Sequence, residues 1–351
     1  MKKISFEAWK QNALFHNPLK NGDLDLQEIE VRLDPLTGHR SIFNSGLEEK
    51  SAVMLPPTDH DYLAKRAEET RPQCFLCDGK WLHTTPRFDS SLLPDGRLVE
   101  GEAVLFPNLF PLAAYHAVVM LGKAHFLTLD QFTPSLLRDA LSVSLRFIRR
   151  CHEADSRIKH FTINGNYLFP AGSSVLHPHL QILGSPFPGT HERLLGKLSL
   201  DHYEQNGSSY WEDLARTEKQ AGDRWVGEIG ESCWFAAYSP VGIHEINAVW
   251  PKATHFLEWD ESDVIAMAEG LSRVLRAYHA KDCSTFNFSC FSAPVDGPHP
   301  YFRCFLRIIN RQNVSPHYRA EDFYFQKLLD NEIIFMLPER LASLVRGYFQ
   351  D

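Results

Sequence analysis

The sequence predicts an α+β protein made of two related halves. Three observations point that way. Runs of strand length, apolar or alternating, recur along the chain. Two longer stretches place apolar residues at helical spacing. The same order of strand, Lys-to-His turn, helix, strand and strand occurs twice, about 125 residues apart.

Taken in order, the first thirty residues are polar and mixed, with one amphipathic piece carrying Phe6, Trp9 and Leu14. Asp34-Pro35-Leu36-Thr37-Gly38 is turn chemistry between two short strands. Residues 45–72 read as a surface excursion rich in charge and Pro. Cys74-Phe75-Leu76-Cys77-Asp78-Gly79 is a tight knuckle. Residues 104–111 form a strand broken by Pro, and 117–121 a buried strand. Thr133 is placed to cap a helix with Pro134 at its first position. Leu137, Leu141, Leu145 and Ile148 give that helix its buried stripe. Strands follow at 161–166 and 175–183. Residues 186–230, rich in charge, read as the connection between halves.

The order then returns. A strand at 246–250 leads to Lys252-Ala253-Thr254-His255-Phe256-Leu257, which matches Lys123-Ala124-His125-Phe126-Leu127 with one insertion. A helix follows with Val264, Met267, Leu271, Val274, Leu275 and Tyr278 on one stripe. Strands at 286–290 and 301–308 complete the copy, and the tail from 321 reads as one or two helices. The expected division is 1–185 for the first half and 186–351 for a degenerate second half.

Composition narrows the function. Hydrophobic residues at 44% and charged residues at 23% are ordinary for a soluble globular protein. No run approaches the ~18 apolar residues of a membrane span. The net charge of −8 comes without a basic face, which excludes nucleic-acid backbone binding. The start, Met1-Lys2-Lys3-Ile4, has no apolar signal region, so a cytoplasmic protein is expected. Seven widely spaced cysteines then read as reduced thiols.

The chemistry concentrates in Val175-Leu176-His177-Pro178-His179-Leu180-Gln181-Ile182-Leu183. Strand alternation puts His177, His179 and Gln181 on one face. Just upstream, Gly172-Ser173-Ser174 offers backbone N–H groups and two hydroxyls, a loop suited to phosphate. A neutral imidazole attacks phosphorus well when its other nitrogen donates to a fixed acceptor. His179 is free for that role, and Gln181 can donate to a phosphoryl oxygen without adding charge. The competing reading is a pair of hydrogen-bonded structural histidines.

Cys74 and Cys77 leave three readings open: half a zinc site, a redox pair, or two buried thiols. A redox pair wants a helix start after a βα unit, and Asp78-Gly79 makes a turn there instead. Zinc needs four ligands, and His125 and His177, at strand ends flanking the proposed site, are best placed to complete the set. Asn108 and Asn166 sit at turns, where Asn is at home for local reasons. His39, His116, His244 and His255 have no partner pattern and read as structural.

These residues resemble the galactose-1-phosphate uridylyltransferase branch of the histidine-triad superfamily. The resemblance spans most of the chain. It rests on Asp34-Pro35-Leu36-Thr37-Gly38, Cys74-Phe75-Leu76-Cys77, Asn108-Leu109-Phe110-Pro111, and Asn166 followed eleven residues later by His177-Pro178-His179-Leu180-Gln181. It implies two histidine-triad-like halves forming an antiparallel sheet with helices packed on it. It implies a structural zinc on Cys74, Cys77, His125 and His177. It implies that His179 forms a nucleotidyl-histidine intermediate whose phosphate is held by Gln181, Asn166, Ser173 and Ser174. Leu76, Phe106 and Asn108 would line the nucleoside pocket.

The reaction so implied moves a nucleoside monophosphate from a nucleoside diphosphate sugar to a sugar 1-phosphate. The alternatives are phosphorolysis of dinucleoside polyphosphates or of ADP- or GDP-sugars, and, in another class, nucleotide binding without turnover. Members are often homodimers whose neighbour completes the sugar pocket. The sequence departs from the family at Leu109, where Asp is frequent, and at Leu47, where a phosphate-binding Arg is expected. Arg303-Cys304-Phe305-Leu306 stands where some members carry histidines for a second metal, so none is expected here. The segment around Phe325-Gln326 matches the sugar-recognition segment poorly.

Overall fold

The computed structural model describes residues 4–44, 46–47, 54–318 and 320–350; Met1-Lys2-Lys3 lies outside them. The amphipathic N-terminal piece is a strand, β1 (Glu7–Asn17), paired along its whole length with β2 (Asp23–Leu33). The Asp34–Gly38 turn follows, closed by Asp34 Oδ1 accepting from Leu36 N, Thr37 N and Thr37 Oγ1 at 3.1, 2.7 and 2.8 Å. It delivers β3 (Arg40–Asn44) against β2. The region read as a surface excursion contains a helix, α1 (His60–Thr70), whose N-cap Asp59 accepts from Tyr62 N. Its polar faces hid it, since only Leu63 is buried.

The first half then builds β4 (Leu98–Glu100), β5 (Ala103–Pro107), β6 (Tyr115–Met120), α2 (Pro134–Ala154), β7 (His160–Tyr167) and β8 (His179–Ser185). Thr133 caps α2 as expected, with Pro134 at its start, and Leu137, Leu141, Leu145 and Ile148 are buried. The strand read over 175–183 begins only at His179, because Pro178 and the turns before it leave residues 175–178 as a loop.

Residues 186–230 are more than a connection. They form α3 (Thr190–Asn206) and α4 (Tyr210–Ala221) before β9 (Trp225–Ile229). The second half continues with β10 (Ser232–Ala236), β11 (Ile243–Trp250), α5 (Glu261–Ala280), β12 (Phe286–Phe291) and β13 (Cys304–Asn310). Asp260 caps α5 by accepting from Ser262 N and Asp263 N. The tail is not wholly helical. It supplies a strand, β14 (Asn331–Ile334), parallel to β3, before α6 (Pro338–Arg346). No helix among the described residues is long and apolar enough to cross a membrane.

The strand order of the large sheet is β4-β5-β6-β8-β7-β12-β13-β11-β10-β9. It reads the same from either end when each half is mapped on the other, and every pairing in it is antiparallel. Helices α2 and α5 cover one face together. Leu180, Ile182, Ile163, Phe288, Leu306 and Ile308 point into that shared core. The opposite face differs between halves. In the second, α3 and α4 bury Leu195, Tyr210, Trp211 and Leu214 against Phe235, Val249 and Phe305. In the first, the 74–77 knuckle packs over Val104, Phe106 and Met120, and His179, Gln181, Asn164 and Asn166 are only partly covered.

The small sheet, β1-β2-β3-β14, docks on the second half through buried charge. Arg32 pairs with Glu30 and Glu339 at 2.6 and 2.8 Å, and its guanidinium lies 4.7 Å from the Phe43 ring centre. Such pairs are expensive to break singly, because the partner stays buried and charged.

The halves meet where β7 pairs β12, and Gly165 faces Phe288 there. A Cβ on Gly165 would lie 2.4 Å from the buried Phe288 ring. Gly165→Ala is therefore expected to destabilise the protein by about 1–3 kcal/mol, read by denaturant unfolding. Unchanged stability would show that the seam between the halves is looser than described.

Candidate functional site

The two-residue gap of Cys74 and Cys77 is closed by a tight turn, with Asp78 and Gly79 both at positive φ of 55° and 75°. The turn aims both thiols at His125, on the loop after β6, and at His177, just before β8. One ligand atom from each of the four residues lies within 4.8 Å of the others. Cys77 Sγ is 3.3 Å from His125 Nδ1 and 3.4 Å from His177 Nδ1, and Cys74 Sγ is 3.7 Å from His177 Nδ1. A tetrahedral zinc with ordinary bond lengths sets sulfur–nitrogen edges of about 3.6 Å. The four residues fit such an ion.

The outer nitrogens are also arranged for it. His177 Nε2 donates to Gly122 O at 2.8 Å, and His125 Nε2 to Thr70 Oγ1 at 2.9 Å. Each imidazole is thereby left with a bare Nδ1 turned to the cluster. Burial pushes His177 down to about 4, so its ring is neutral at pH 7. Burial and the neighbouring Cys74 push the Cys77 thiol up to about 12, a penalty that a bound cation reverses. All seven cysteines are buried and free of disulfides.

Beyond Pro178 the chain turns His179 onto the outer face of β8. Its Nδ1 donates to the His177 carbonyl at 2.9 Å. That bond fixes the tautomer and leaves Nε2 bare, on the partly open face. Burial lowers its pKa from the usual histidine value. Gln181 follows on the same face, two residues along, and Val118 of β6 is paired opposite it.

His116 is one of the four histidines that the sequence reading left as structural. It is buried at 3% exposure, and its Nδ1 accepts the Leu112 N–H at 3.1 Å. Its Nε2 must then carry the proton, which it donates to Gln181 Oε1 at 2.8 Å. The Asn108 amide nitrogen, 3.3 Å from the same Nε2, is a contact and not a hydrogen bond, since both atoms carry hydrogens. With Oε1 occupied, the Gln181 amide N–H groups are the ones free to meet a ligand. A sequence signal existed: His116 is polar at an outward position of β6 shared with Val118 and Met120.

The remaining candidates are placed as follows. Asn166 lies on β7 with Oδ1 accepting from Asn287 at 2.8 Å. Ser174 is exposed, and Ser173 is buried with its hydroxyl donating to Val175 O at 2.6 Å. The backbone N–H groups of Gly172 and Ser173 close the loop itself, onto Phe169 O and Leu168 O at 3.0 and 3.1 Å. This corrects the expectation that Gly172 supplies a backbone donor to phosphate. Within residues 172–174, the donors not used in this way belong to Ser174. A cavity of 320 Å³ opens beside it, lined by Ser173, Ser174, Phe75, Phe169 and Arg66.

Asn108 turns the chain after β5, its Oδ1 accepting from Phe110 N at 2.8 Å. Leu76 and Phe106 are 2% and 3% exposed. They form the floor beneath the outer face rather than open wall, and Val118 and Trp81 lie nearer its surface. In the segment 303–306, the ring of Phe305 is stacked 4.0 Å from Trp211 and 4.8 Å from Phe291.

No protein-family model matches the chain. An uncharacterized protein of Archaeoglobus fulgidus is 30% identical over 333 residues, covering 95% of this chain and 96% of that protein. Among solved structures, an ADP-glucose phosphorylase from Arabidopsis thaliana with bound ADP-glucose aligns with a TM-score of 0.68 and 19% identity, over 91% of this chain and 98% of that one. A GalT-like protein from Arabidopsis thaliana gives 0.68 and 18%, over 90% and 98%. A uridylyltransferase mutant gives 0.65 and 16%, over 91% and 98%.

Proposed function

The chain belongs to one family with the Archaeoglobus fulgidus protein and has the fold of the GalT-like branch of the histidine-triad superfamily, and on that premise we propose that it is a nucleotidyltransferase working through a covalent nucleotidyl-His179. The observation that carries this is the bare Nε2 of His179, with Nδ1 tied to the His177 carbonyl. The donor is a nucleoside diphosphate sugar and the acceptor is inorganic phosphate or a sugar 1-phosphate. The fold neighbours named for ADP-glucose and for uridylyl transfer support that donor class, as an analogy of fold.

His179 Nε2 attacks the α-phosphorus. The Nε2–P bond forms as the bond to the bridging oxygen breaks, and sugar 1-phosphate leaves with the electron pair. The imidazole becomes cationic, so its Nδ1–H bond to the His177 carbonyl strengthens as the charge appears. A phosphate oxygen of the acceptor then attacks the same phosphorus and returns the electron pair to Nε2. Gln181, oriented by His116, donates its amide N–H to the phosphoryl oxygens, and Asn166 and Ser174 contribute further donors. Leu76 and Phe106 floor the nucleoside pocket, and Asn108 borders it.

Cys74, Cys77, His125 and His177 hold zinc in this reading. The ion supplies structure, not reaction chemistry: a closed set of four protein ligands leaves no position for substrate. What the chain gains is a fixed His177, hence a fixed carbonyl for His179.

A second reading, nucleotide binding without turnover, is favoured by Leu47 and Leu109 at the places of the family's Arg and Asp. Intact mass after rapid quench with UDP- and ADP-sugars separates the two. The expected result is a nucleoside monophosphate adduct with at least one donor, absent in His179→Ala, together with label exchange between donor and acceptor. Tight donor binding with neither adduct nor exchange would favour the second reading. Metal analysis of the purified protein is expected to give about one equivalent of zinc, with most of it lost in Cys74→Ser. Less than about half an equivalent, unchanged in Cys74→Ser, would reject the four-ligand site.

A further inference from the structure

The phosphate cradle assigned to the first half is held from the second. Asn287 lies on β12, directly opposite Asn166 of β7 across the seam. Its Nδ2 donates twice: to Asn166 Oδ1 at 2.8 Å and to Ala171 O at 2.9 Å. Its Oδ1 accepts from Arg311 Nη1 at 2.7 Å. Arg311 is in turn held by Glu321 and by Asp322, the latter at 3.1 Å. Every hydrogen of the Asn287 amide is therefore used, and the Arg311 bond fixes which end of the amide faces β7.

Both acceptors matter. Asn166 is one member of the cradle. Ala171 closes the turn that carries Ser173 and Ser174, and that turn starts from Leu168 at a strained φ of 64°. With Oδ1 occupied by Asn287, the amide of Asn166 can turn only its N–H groups to a ligand. The same logic operates at Gln181, whose oxygen is occupied by His116. Two neutral amides thus present donors, and no acceptor, toward the face where His179 Nε2 stands. An anion suits such a face.

We propose that Asn287 is a positioning residue for the nucleotide phosphate: it orients the Asn166 amide and anchors the 169–174 loop at the same time. The inference rests on the proposed phosphate site of the first half. It gives the degenerate half a task in the reaction that needs no catalytic group of its own.

Asn287→Asp tests it with little change of shape. The Arg311 contact is kept as an ion pair, but the atom facing Asn166 Oδ1 and Ala171 O becomes an acceptor. Asn166 must then turn its amide to donate to the new carboxylate, which swings Oδ1 toward the phosphate. The readout is the gain in affinity of UMP over uridine, and of AMP over adenosine, measured by calorimetry on the metal-replete full chain. Asn287→Asp is expected to reduce that gain about tenfold or more, while nucleoside affinity stays at its wild-type value. If that variant does not fold, Asn287→Ser is read by the same criteria.

A wild-type gain in the variant would overturn the inference. Parallel loss of nucleoside and monophosphate affinity with a fallen melting temperature would also overturn it, since that marks a scaffold residue. Equal binding of monophosphate and nucleoside by the wild type would overturn the phosphate site itself and this inference with it. That result is told apart because it appears without any variant.

Discussion

The convergence of two thiols and two imidazoles at the edge of β8 is the constraint on which the rest of the outer face depends. Four buried ligand atoms lie within 4.8 Å of one another, and the two thiols among them must ionise to bind a cation. Once satisfied, the cluster fixes His177 from one side while Gly122 O fixes it from the other. The His177 carbonyl is then a rigid acceptor for His179 Nδ1. The proposed metal ligation of His177, the carbonyl of that residue and the tautomer of His179 are links of one short chain of contacts.

The palindromic sheet shows how one frame supports two surfaces. Both halves bury α2 or α5 on the same core face, and both cover the other face with a satellite cluster. In the first half that cover is a small knuckle that leaves polar side chains of β7 and β8 within reach. In the second it is two helices, and Trp211 lies flat on Phe305 where a polar site could have formed. Along the seam the second half contributes hydrogen-bonding side chains: Asn287 bonds Asn166, and Ser289 bonds Asn164 Oδ1 at 2.8 Å.

Much of the site was legible because its signals are local and periodic. His179 and Gln181 share a face by alternation, whereas His177 lies in the loop before β8, and the gap between Cys74 and Cys77 leaves a metal half-site among its readings. The α2 and α5 stripes and the Thr133 cap are equally local. What escaped the sequence depends on distant partners. His116 meets Gln181 from 65 residues away and Asn287 meets Asn166 from 121, and a lone His or Asn carries no mark of its partner. Helices α3 and α4 escaped because their apolar residues are matched in number by charged ones. Leu194 and Leu200 are exposed, and the buried face of α4 depends on Tyr210 and Trp211 meeting β-strands still to come. The tail strand β14 escaped because its pairing strand, β3, lies almost three hundred residues earlier (331 against 40).

The most direct test of the account is the protonation pattern of His179 in the resting protein. Nitrogen-15 NMR of the metal-replete chain with labelled histidine, assigned with His179→Ala, reads it at neutral pH. The expected result is a neutral ring protonated on Nδ1 and bare on Nε2, with that preference weakened in Cys74→Ser. A ring protonated on Nε2, or a tautomer indifferent to Cys74→Ser, would contradict the link from the cluster to the nucleophile.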